Sequence, residues 1–80
     1  MTTVYVRLDS VKGVQQFVGA IAPLRGDFEL VSGNYVLDAR SLMGIFGFDL
    51  NKPVLLKVYS NGAENMAAIA PFLADTEEEE

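Results

Sequence analysis

The sequence predicts one α+β domain in which a four-stranded antiparallel sheet carries helices on one face, in the order β-α-β-β-α-β-α. Three observations lead there. Apolar residues alternate in four short stretches, they recur at helical spacing in two longer ones, and no long parallel crossover is needed to join the strands. The economical packing of such elements is an open sheet with its helices gathered on a single side.

Val4, Val6 and Leu8 alternate with Tyr5 and Arg7, which is the period of a half-buried first strand. Ser10 then precedes Val14, Phe17, Val18 and Ile21 at i, i+3, i+4 and i+7. One face of a helix is therefore apolar, with Ser10 placed to cap its free N–H groups and Pro23 to end it. Phe28 and Leu30 begin the second strand. Gly33-Asn34 separates it from Tyr35, Val36 and Leu37, a two-residue hairpin with a glycine-first turn. Ser41 opens a short apolar segment, Leu42 to Phe46, whose neighbouring glycines Gly44 and Gly47 suit a brief helix or turn better than a strand. After Pro53, Val54, Leu56 and Val58 face one way. Leu55, Lys57 and Tyr59 face the other, so the outer face is less polar than usual. The last element, Ala63 to Ala74, sets Met66, Ile69, Ala70 and Leu73 on one stripe, and Pro71 should kink this helix near Ala67 or stop it at Ala70. The two main helices should pack through Phe17, Ile21, Met66 and Leu73.

Eighty residues, half of them apolar, suffice for one modest core, read here as a domain over 1–75 with an acidic, disordered tail at 76–80. Of the net charge of −5, Glu77 to Glu80 contribute four, so the body sits near −1. With no cysteine there is no disulfide framework and no thiolate metal site, and no metal or other cofactor is expected. The six Lys and Arg residues are scattered, which argues against a nucleic-acid footprint. No stretch approaches a membrane span or a signal peptide, so the expected setting is the cytoplasm.

Gln16-Phe17-Val18 in the first helix, the turn at Gly33-Asn34, Ala39-Arg40-Ser41-Leu42-Met43-Gly44 and Ser60-Asn61-Gly62 stand in an order and spacing that resembles the HPr phosphocarrier family of the sugar phosphotransferase system. The stretch Ser41-Leu42-Met43-Gly44-Ile45-Phe46-Gly47-Phe48 is similar to that family's regulatory-serine region. The resemblance implies an open-faced β-sandwich and a non-enzymatic role. In the family a histidine before the first helix takes phosphate from a soluble kinase and passes it to sugar-transport proteins. Here the corresponding run is Ser10-Val11-Lys12-Gly13, the loop is shorter, and the whole chain contains no histidine. A serine phosphate ester is a poor donor compared with a histidine phosphoramidate, so a relay through Ser10 would stall.

Each singled-out residue has two readings. Ser10 is an N-cap or a phosphate acceptor, and Lys12 is a solvated charge or an anion ligand that lacks the planar fork of the family's arginine. Ser41 is an N-cap for the short helix and, by resemblance, the target of an HPr serine kinase. A phosphate there would meet free N–H groups, with Arg40 nearby in sequence. Leu42, Met43, Phe46 and Phe48 are ordinary core or, as the resemblance implies, a surface that docks a kinase, a transcriptional regulator or a transporter protein. The expectation is thus an HPr-like regulatory or adaptor protein without histidine relay. The alternatives are a phosphocarrier with a non-histidine acceptor and a plain α+β protein-interaction domain. If the docking surface persists, Leu42, Met43 and Phe46 should project partly into solvent beside an accessible Ser41 hydroxyl.

Overall fold

Alternation of apolar and polar residues becomes a two-faced sheet in the structure, a computed structural model that describes residues 1–48, 50–59 and 62–74. Four strands, β1 (Thr2–Val6), β2 (Phe28–Ser32), β3 (Tyr35–Asp38) and β4 (Val54–Val58), form one antiparallel sheet in the order β1-β4-β2-β3. Helices α1 (Val11–Ile21), α2 (Leu42–Ile45) and α3 (Ala63–Ile69) alternate with them, and a single 3-10 turn, Ala70–Phe72, follows α3. This is the expected α+β arrangement with its expected element order.

The register explains the layering. Val4 pairs with Leu56, Leu56 with Leu30 and Leu30 with Leu37, one inward row across all four strands. Val14, Phe17 and Ile21 of α1, Ile45 of α2 and Ile69 of α3 bury themselves against this side in one cluster with Phe28, Leu30, Val54, Leu56 and Val58. Full burial of such side chains contributes roughly 1.5–3 kcal/mol each before conformational entropy is counted. The next rows point the other way. Tyr5–Leu55–Val31–Val36 is apolar, and Thr3–Lys57–Glu29–Asp38 is polar. Tyr5 and Val36 are exposed, and no described element covers this face.

Two local expectations change. The first strand stops at Val6 instead of reaching Leu8, since its pairing with β4 ends at Val6–Val54. Leu8 is nevertheless fully buried, from the connection to α1. Leu73 is not core, since it is 45% exposed. Pro71 ends α3 at Ile69, the tighter 3-10 turn rotates the following residues out of helical register, and Leu73 becomes extended and bridges Val6. Phe72 takes the inward place, its ring edge-on to Phe17 at 5.4 Å and 84°. Met66 packs against the core as expected. The expected disordered tail at 76–80 and the Ser60-Asn61 part of the glycine-ended motif lie outside the described residues.

Two backbone details fix the ends of elements. Gly33 adopts φ +59° while Asn34 stays at negative φ, the glycine-first hairpin turn that the sequence called for. Arg7 N donates to the Phe72 carbonyl and Ala74 N to that of Tyr5, so the chain after α3 closes the outer edge of β1. The opposite edge, β3, has no such cover among the described residues.

Candidate functional site

Ser10 sits directly before α1 with extended backbone, and its Oγ accepts from the Gly13 amide at 2.9 Å. Its hydroxyl thus caps the helix, an interaction typically worth about 1 kcal/mol. A Cβ on Gly13 would come within 3.0 Å of that oxygen. Lys12 is exposed on the first turn.

Ser41 holds the corresponding position before α2, yet its side chain makes no capping bond. The backbone carries the junction instead, with Ser41 N donating to the Asp38 carbonyl at 2.9 Å and Ile45 N to the Ser41 carbonyl at 3.0 Å. The cap expected of the Ser41 hydroxyl is therefore absent. Its φ of −86° and ψ of 89° lie off the extended geometry that turns a capping oxygen toward the next turn. The residue is exposed.

Beyond Ser41, a helix of one turn cannot hide every apolar side chain it carries. Ile45 is fully buried, and Leu42 and Phe48 are half-buried against the core. Met43 is 81% exposed and Phe46 38% exposed. The expectation that Leu42, Met43 and Phe46 project partly into solvent is met, with Leu42 the least free. Gly44 lets α2 lie close to the sheet, since a Cβ there would stand 2.9 Å from Ser41 Oγ and 3.3 Å from Leu37 Cδ2.

Arg40 has a role that its position beside Ser41 does not suggest. Its guanidinium donates to the carbonyls of Leu24 at 2.6 Å, Gly26 at 3.1 Å and Ile21 at 3.2 Å, and it lies 5.0 Å over the Phe28 ring. A planar fork of donors fits these converging carbonyls, and a cation at a helix C-terminus is favoured by the dipole. Arg40 thereby ties the end of α1 to the segment leading into α2. Its guanidinium is engaged there, although Arg40 is next to Ser41 in sequence. The signal for this role lies in residues fourteen to nineteen positions away, which no local pattern reveals.

At the same end of the sheet, Tyr59, Asp27, Glu29 and Asp38 line a shallow hollow of about 310 Å³. Tyr59 Oη donates to Glu29 Oε1 at 2.7 Å. That bond first, and then partial desolvation and the negative charges of Glu29 and Asp27, hold the phenol proton above its ordinary pKa of 10.0. Among the described residues there is no metal-binding group of His, Cys, Asp and Glu, and no helix long and apolar enough to cross a membrane. Comparisons of the chain with protein-family models, with curated proteins and with solved structures find no match.

Proposed function

We propose that this chain is an HPr-like regulatory or adaptor protein that has lost histidine phosphorelay and binds a protein partner through the surface around Ser41. One observation carries the reading. On a single turn of helix, Met43 and Phe46 are exposed to solvent beside an exposed serine whose hydroxyl caps nothing. A core segment would bury those side chains, and a structural serine would spend its oxygen on the helix. The element order agrees with that of the family the sequence resembles, and the Ser10 oxygen is already engaged on the Gly13 amide, which supports loss of the relay.

The test has two arms. Incubated with phosphoenolpyruvate and the general kinase of the phosphotransferase system, the chain takes up no acid-labile phosphate, and stoichiometric labelling would refute the relay-less reading. Incubated with ATP and a serine kinase specific for HPr proteins, it takes up one acid-stable phosphate that Ser41→Ala abolishes. Uptake that survives this substitution removes Ser41 from the proposal.

A further inference from the structure

We propose that the free edge of β3 pairs with the same edge of a second copy of this chain, antiparallel about Val36. The hydrogen-bonding phase of the sheet decides which groups are available. Ala39 N donates to the Phe28 carbonyl, and Tyr35 is paired with Ser32 across the two-residue turn, so odd-numbered residues of this strand bond inward to β2. Both main-chain groups of Val36 and the N–H of Asp38 therefore point away from the sheet. Among the described residues nothing bonds to them, whereas the Asp38 carbonyl is already taken by Ser41 N. The segment after α3 covers the β1 edge, and among the described residues nothing covers this one.

The chemistry of the strand itself selects a second copy as the occupant. The strand is nearly palindromic in chemistry, reading Asn34, Tyr35, Val36, Leu37, Asp38, polar at each end and apolar between. Under a two-fold axis at Val36, its N–H and carbonyl bond reciprocally to those of Val36 of the second copy. Tyr35, 73% exposed, then lies opposite the half-buried Leu37 of the second copy, and Asp38 lies opposite a neutral Asn34, so no like charges oppose. Val36, 56% exposed, meets its own counterpart, and the uncovered row Tyr5–Leu55–Val31–Val36 runs on through the same four residues in reverse. A slip of two residues would set Asp38 against Val36 and break that row. The edge also lacks the inward charge, proline or bulge with which exposed strands usually discourage pairing.

Five residues from each copy bury much less than the roughly 800 Å² per partner of a stable interface, so association belongs in about the high micromolar to millimolar range. Sedimentation and NMR of the full chain over that range test the proposal. The mass should rise toward a dimer, the Val36 amide should become protected from exchange, and isotope-filtered spectra of mixed labelled and unlabelled chain should connect Tyr35 of one copy to Leu37 of the other. Val36→Pro removes the outward donor at a position where the sheet itself does not use it, and should raise the dissociation constant at least about tenfold. Val36→Lys keeps the donor but opposes like charges, and should do the same, which decides the matter if the proline variant does not fold. A chain that stays monomeric throughout, or both folded variants associating like the parent, would overturn the pairing.

Discussion

Residue by residue, the environment of each side chain near Ser41 sets what its loss should do. Ile45 is fully buried, and Ile45→Ala should cost about 2–5 kcal/mol through lost transfer energy and a residual cavity. Phe46, one position later and partly in solvent, should cost only about 1 kcal/mol as alanine while weakening capture of the partner. Urea unfolding of the two variants checks this, and equal large losses would make Phe46 core. Arg40→Ala removes charge-assisted bonds to three carbonyls and should cost about 2 kcal/mol, and Arg40→Lys should recover little because an ammonium cannot span the three acceptors. The same denaturation series measures both. For Tyr59 the sign follows from its raised folded pKa. The hydrogen bond to Glu29 contributes stability below the unfolded value of 10.0, and that contribution is lost as pH rises above 10.0 through the folded value. In Glu29→Gln the phenol should titrate closer to its ordinary range, which an NMR titration of Tyr59 reads directly.

At the scale of elements, legibility in the sequence followed the reach of the interactions. The strand alternation, the Ser10 cap, the Gly33-Asn34 turn and the short helix after Ser41 all depend on residues within four positions of one another, and the structure contains each. Elements whose limits are set by distant partners were misread. The pairing of β1 with β4 ends at Val6–Val54, and the inward residue after α3 is Phe72 because Pro71 changes the helical rise. Periodicity continues blindly past such points, and so it selected Leu73. Arg40 belongs to the same class, since its three acceptors are brought close only by the fold. The candidate patch was legible for a simpler reason: four large apolar side chains within seven residues exceed what one helical turn can bury. The turn offers a direct check. Gly33→Ala forces a side chain into positive φ and should cost about 1–2 kcal/mol by thermal or urea unfolding, with nothing to clash against, because the space around a Cβ there is empty.

Across the whole molecule, sheet order distributes stability unevenly around one core. β4 and β2 lie between neighbours on both sides, and their inward residues Leu56 and Leu30 are fully buried beneath Phe17, Ile45 and Ile69. Breaking a β4 amide hydrogen bond therefore means separating the strand from β1 or β2 and opening the cluster that every helix shares, which for so small a domain amounts to global unfolding. β3 is different. Among the described residues it has one neighbour, two exposed apolar residues, and outward amides at Val36 and Asp38 with no bond to protect them. Native-state hydrogen exchange at low protein concentration should accordingly rank Leu56 and its β4 neighbours slowest, with an opening free energy equal to that from urea unfolding, and the Val36 and Asp38 amides among the fastest in the sheet. Slow exchange at Val36 in a dilute monomer would mean that another part of the chain covers the β3 edge. That edge would then be closed to a second copy, while the exposed turn at Met43 and Phe46 would keep its own claim as a docking surface.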